Sequence, residues 1–433
     1  MAIRKRSLQW SALMLCLFFI IFLRAPQVLL MPSLQADDGI NVFAYFYENP
    51  EPENIFRFKA GYIPLLANLI GYISIKLPTS LIPYGMTWLP LLITLAAYSL
   101  LFNTGYRQWL ESDLSRAAAC ILFALAPLSQ FLLLAHTDYS IWNTLLLLIL
   151  LSVMPLPESA RWKYPWWVLT GVLIWSHPLT ILVLPFHAYF FLRDKQNRAF
   201  YALTILNLLL HMAFGVQDTQ VAETSSLLAL GKAAIWSVGI TGQIAFRTAF
   251  GPHLYNWASQ QMPLLFTLWG LLVAALTLIV LVKSPRSGKP LIALFYIIIG
   301  LTFAGIVGRG YTETTDLNGG IRYTYIQHLA FLALFVFLID RLSARFTTTG
   351  NVIPWGRHVR ITAYTVLIGY YLVMNINARG AYQYAHPENG KTVKEFFQML
   401  DEAEKRTDIE EGSYLTAERI DDWPLSVQLS RRK

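Results

Sequence analysis

The 433-residue chain is 55% hydrophobic and only 14% charged, against about 25% charged in ordinary soluble domains. Its formal net charge of +8 comes from Lys and Arg gathered between apolar runs, which is a positive-inside pattern and not a nucleic-acid surface. Its two cysteines, Cys16 and Cys120, both sit inside apolar runs and exclude a disulfide framework or a thiolate metal site.

These bounds leave an all-α polytopic membrane protein. A bilayer-crossing helix needs roughly 20 mostly apolar residues, and runs such as "LLITLAAYSLLF" and "LIALFYIIIGLTFAGIVG" supply them. The first span is expected at 9–30. Its basic start resembles that of a signal peptide, but the apolar stretch is long for one and Leu34 spoils a cut after Ala36, so retention is expected. Arg24, near its outer end, is expected to snorkel to the interface. Further spans are expected at 82–103, 117–135, 139–156, 164–176, 178–192, 199–215, 262–282, 289–307, 323–340 and 360–377, about eleven in all. Pro178 makes the 164–176 and 178–192 pair either a tight hairpin or one kinked helix.

With the N-terminus in the cytoplasm, the inside segments hold Arg4, Lys5 and Arg6, then Arg107 and Arg116, Arg161 and Lys163, Arg193, Lys195 and Arg198, Lys283, Arg286 and Lys289, and Arg341, Arg345, Arg357 and Arg360. The short outer connections at 136–138 and 177 hold no Lys or Arg. This asymmetry sets the orientation. Residues 1–377 form the bundle, with outer loops at 31–81, 216–261 and 308–322, and residues 378–433 form a small extracytoplasmic segment. Interfacial helices are expected in the outer parts, at "GYIPLLANLIGYISIKLP" and, with an amphipathic period, at "TVKEFFQMLDEAEKR".

Chemistry is expected on the outer face. Asp37 and Asp38 follow the first span directly. Either could serve as a general base or hold a divalent cation, and "ADDG" could equally cap the helix "INVFAYFY". Arg57 and Lys59 suit phosphate oxygens or lipid headgroups. Tyr45, Tyr47 and Tyr62 fit an interfacial belt. His136 and Asp138 fill a short outer turn where His136 could bind phosphate or donate a proton, or where Thr137 or Asp138 could cap a helix. His177 in "WSHP" occupies a similar turn. "GRGYTETTDLNGGIRYTYIQHL" offers Arg309, Glu313, Asp316, Arg322, Tyr323 and His328. Arg322 at a span start suits bidentate contact with a lipid phosphate or snorkelling. Lys232, Arg247, His253 and Trp257 read as solvated helix faces.

The "ADDG" after the first span, the stretch "GVLIWSHPLTILVLPFHAYFFLRD" and the span start "GGIRYTYI" together resemble the integral-membrane glycosyltransferases of the GT-C fold. The resemblance implies a polyprenyl-phosphate-linked sugar donor and transfer on the extracytoplasmic side. The acceptor would be an envelope glycan, lipid or protein. The resemblance also implies that a first-loop carboxylate, here Asp37 or Asp38, acts as base or metal ligand. A bacterial inner membrane is the expected location. A transporter or flippase, an O-antigen polymerase or ligase, and a non-catalytic scaffold are the alternatives. A transporter would show ionisable residues buried in mid-span.

Overall fold

The computed structural model describes residues 2–24, 26–32, 34, 38–59, 61–126, 135–216, 227–262, 264–283, 288–309, 321–345, 355–377, 387–405, 414–420 and 423–428. Helices dominate. In chain order they are α1 Ala2–Arg24, α2 Leu65–Ser74, α3 Ile82–Leu100, α4 Asp113–Leu125, α5 Ser140–Val153, α6 Ala160–Ile174, α7 Leu184–Arg193 and α8 Arg198–Leu210. They continue with α9 Leu227–Gln261, α10 Leu264–Lys283, α11 Gly288–Arg309, α12 Ile321–Arg345, α13 Trp355–Asn377 and α14 Pro387–Lys405. A two-stranded antiparallel ribbon, β1 Tyr414–Ile420 with β2 Trp423–Gln428, is the departure from an all-helical chain among the described residues.

Ten of the eleven expected spans fall wholly or largely on helix; of 117–135, residues 117–125 lie on α4 and 127–134 lie outside the described residues. Among the described residues, five stretches are long and apolar enough to cross a membrane: Ser7–Arg24, Thr79–Leu100, Lys195–Gly215, Gly288–Val307 and Thr324–Ala344. The bent pair His253–Gln261 and Leu264–Val280 makes up to six. Helices such as α5 and α7 are apolar but too short to pass by length. The outward faces favour lipid as the surrounding medium. On α10 the residues Leu264, Leu268, Leu271, Leu272, Leu278 and Val282 are all exposed, a patch that water would penalise.

α12 is central and packs on α4, α9, α11 and α13. Within segment 216–261, residues 227–261 form the long helix α9, which packs on α10, α11 and α12. Its glycines and hydroxyl residues lower its apolarity, yet they let backbones approach closely. A Cβ on Gly242 would stand 3.2 Å from the Phe266 carbonyl of α10. The α9 helix breaks at Gly251, whose φ of 79° suits glycine.

Arg24 does not snorkel. It is buried and donates to the carbonyls of Ala124 and Ala126, while Asn375 of α13 donates to that of Leu125. The last carbonyls of α4 have no partners within the helix, so a cation and an amide from α1 and α13 satisfy them and tie three helices together.

Two polar ends follow from this packing. At one, Asp340 of α12 accepts from Ser115 and from the Glu111 N–H and pairs with Arg360, while Arg341 pairs with Glu111. The other lies at the start of α3, where the Met86 carbonyl accepts from Thr137 at 2.7 Å. The 19 residues of α3 separate the two ends by about 28 Å at 1.5 Å per residue.

A second, smaller core sits beside this latter end. Val393, Phe396, Phe397 and Leu400 recur with helical period on α14 and are buried against Val42, Phe43, Phe46, Tyr47 and Met86. The Phe43 and Phe397 rings are 4.8 Å apart. The amphipathic reading of 392–406 thus matches what is seen, and the face it covers belongs to the first outer segment.

Candidate functional site

The chain leaves α1 and reaches a π-helical turn, Asp38–Ala44, that runs into the short helix Tyr45–Glu48. The turn is fixed from two sides. Phe43 and Phe46 are buried in the second core, and α2 lies on its other face. A Cβ on Gly71 of α2 would come within 2.5 Å of Val42 and 2.8 Å of Phe46, so glycine there permits the close approach.

This packing buries Asp38 at 3% exposure. Its carboxylate does not cap its own helix, as "ADDG" suggests. It reaches the turn before α5 instead. Oδ1 accepts from the Asp138 N–H at 2.7 Å, and Oδ2 accepts from the Thr137 N–H at 3.2 Å. Oδ2 also lies 3.1 Å from Nδ1 of His136. A carboxylate only accepts, so Nδ1 is the donor in this contact, and in a neutral ring Nε2 keeps the lone pair. His136 is 1% exposed, and its Nε2 has no hydrogen-bond partner among the described residues.

Lys59 pairs with Asp138, both largely buried. It is thus held by protein and not left to lipid headgroups. Its backbone bridges to Tyr62, which bridges to Val216. Arg57 is committed too: Nη1 donates to the Asn41 carbonyl at 3.0 Å and the guanidinium lies 3.6 Å from the Tyr45 ring centroid. Thr137 is no cap, since its hydroxyl donates to Met86.

His177 closes the arrangement. The expected hairpin or kink is a break here, with His177 capping a 3-10 turn, Pro178–Val183, that leads into α7. Its Nδ1 accepts from the Leu179 N–H at 3.0 Å. Its ring stands 4.9 Å from that of Trp142 and 6.2 Å from that of Tyr62. Burial first, then the neighbouring His211, push its pKa down to about 3, so it is neutral near pH 7. His211 Nε2 donates to the His177 carbonyl at 3.2 Å. Backbone bonds from Ile63 to Gly215 and from Leu65 to Trp175 bind the first outer segment to both connections.

The structure therefore brings together Asp38, Lys59, Tyr62, His136, Asp138 and His177, drawn from three separate expected outer connections. No family model, curated protein or solved structure matches this chain.

Asp37 lies outside the described residues, as do Glu313 and Asp316. Arg309 ends α11, and Arg322 and Tyr323 open α12; their side chains lie outside what is described. His328 is buried within the bundle, with Nδ1 2.6 Å from the Thr248 hydroxyl of α9. Lys232, His253 and Trp257 are exposed, but Arg247 is 1% exposed and no solvated face. It is buried beside Ile244, Phe246 and Thr248 on the side of α9 that packs into the bundle. Sequence reasoning also passed over His211; its only signal was an ionisable residue within an apolar run. Among the described residues, no three His, Cys, Asp or Glu stand together to hold a metal ion.

Proposed function

We propose that this chain is an integral-membrane glycosyltransferase of the GT-C type, with about eleven spans by hydropathy. In this reading it moves a hexose or pentose from a polyprenyl-phosphate donor to an envelope glycan, lipid or protein acceptor. The reaction takes place on the extracytoplasmic side of a bacterial inner membrane, with the N-terminus inside and the C-terminal segment outside.

The observation that carries the proposal is the buried Asp38–His136 contact, at the end of the bundle away from the Arg- and Glu-rich network of 111, 341 and 360. Proton-transfer groups sheltered from water at a membrane boundary suit transfer to a hydroxyl and disfavour hydrolysis of the donor. A groove of about 670 Å³ between α9, α10 and α11, lined by Val238, Leu291, Ile292, Phe295, Ile299 and Phe303, offers an apolar bed for an isoprenoid chain. Arg57 and Lys59 are held by protein partners, so the donor phosphate falls to Arg309 and Arg322 in this proposal. A divalent cation has poor prospects at Asp38, whose two oxygens both face N–H groups.

The test is transfer by purified protein in proteoliposomes supplied with polyprenyl-phosphate sugars. Asp38→Asn, which keeps the shape of the side chain, is expected to cut transfer by about 100-fold or more, the scale of acid–base catalysis. Unchanged transfer would remove Asp38 from the chemistry. A second reading, movement of a polyprenyl-linked lipid across the bilayer, draws on Arg247 and His328, both buried within the bundle. Lipid movement without sugar transfer in the same vesicles would favour it.

A further inference from the structure

We infer that His136, and not Asp38, is the group that takes the acceptor proton, and that Asp38 is the positioning residue that fixes the imidazole. This rests on the glycosyl-transfer reading and names the base within that site.

The two ring nitrogens of His136 have different fates. Nδ1 faces Oδ2 of Asp38 at 3.1 Å, and the Thr137 and Asp138 N–H groups hold the carboxylate in place. Three donors converge on two carboxylate oxygens. That fixes Asp38 well but leaves it little capacity to accept a proton from substrate. Nε2 is the reverse case: a buried lone pair with no partner among the described residues. Buried polar atoms are nearly always paired, so a bare Nε2 is suited to a donor that binds there. A substrate hydroxyl has the required chemistry. A carboxylate that fixes the tautomer and stabilises the imidazolium is the arrangement by which a histidine becomes an effective base.

The step balances. The acceptor O–H proton passes to Nε2 as the acceptor oxygen bonds to the anomeric carbon. The bond from that carbon to the phosphate oxygen breaks, and its electron pair leaves with the polyprenyl phosphate. His136 becomes an imidazolium held against Asp38, and it loses the proton to solvent as product departs.

Two readouts test the inference separately from the reaction class. In transfer assays, His136→Gln should lose about 100-fold or more while still binding donor, and imidazole should restore at least about tenfold to His136→Gly. If the wild type transfers sugar and His136→Gln does so equally well, the inference falls and glycosyl transfer stands. The second readout needs no transfer. The protein has 8 histidines; with ¹⁵N-labelled imidazoles, His136 is assigned from signals lost in His136→Gln or, if that variant does not fold, in His136→Asn. The wild type should show His136 protonated at Nδ1 with Nε2 bare, and Asp38→Asn should disturb that preference. A wild-type Nε2–H tautomer would overturn the inference whatever the assay shows. Wild-type protein that transfers no sugar from any donor, yet shows the Nδ1–H tautomer, would overturn the glycosyl-transfer reading and leave the dyad standing.

Discussion

Single side chains around the Asp38 turn are held with little slack, and His177 shows what that implies. Its folded pKa is near 3, against about 6.5 unfolded. The unfolded chain therefore binds the proton first as pH falls. Stability contributed by the neutral ring is intact above pH 6.5 and is lost between about 6.5 and 3, at up to roughly 1.4 kcal/mol per pH unit. His177→Asn should flatten the fall of melting temperature between pH 7 and pH 4, because Asn keeps the capping acceptor for the Leu179 N–H and cannot titrate. An unaltered slope would locate the acid sensitivity elsewhere. Much of the residue-scale picture was legible in the sequence: a carboxylate pair after the first span, a His in each of two short turns. What could not be read was partnership. Asp38 and the 136–138 turn are about a hundred residues apart, and local spacing describes only neighbours along one helix or strand.

At the scale of elements, periodicity gave α14 correctly because its apolar stripe is cleanly separated from its charges. It did not find the buried side of α9, where Arg247 sits among Ile240, Ile244 and Phe246 instead of on a solvated face. Two substitutions probe how elements hold the Asp38 turn. Phe397→Ala removes a ring packed on Phe43 and should cost about 3 kcal/mol or more; faster release of the C-terminal segment in limited proteolysis would report it. Gly71→Ala pushes a Cβ into Val42 and Phe46, and overpacking of this kind costs about 1–3 kcal/mol. It should lower the melting temperature and depress transfer without weakening donor binding, because the displaced element carries Asp38.

For the molecule as a whole, the helices set one group of polar contacts at each end of the bundle, besides those of His328 and Arg247 within it, and the proposed orientation assigns each end a side. A variant lacking Cys16 and Cys120 allows a direct check. A membrane-impermeant maleimide should label Glu48→Cys, an exposed position beside the Asp38 turn, in intact cells. It should label Lys195→Cys, exposed at the start of the α8 region, only after the membrane is opened. The opposite pattern would invert the orientation. Hydropathy gave the helical segments and their rough places, since apolar content is additive along the chain. It overstated how many of them meet the length of a full crossing, because short helices such as α5 are buried by neighbours and need not match the bilayer themselves.

The docking of α14 on Phe43 has a consequence for biosynthesis. The turn that carries Asp38 emerges early from the ribosome, while the residues that cover its apolar face come some 350 positions later. Until then Phe43 and Phe46 lack part of their packing, and the site has no settled geometry. On the proposed function, a chain ended before residue 400 would carry the Asp38 turn without its full packing, so transfer would report that translation had run past that point.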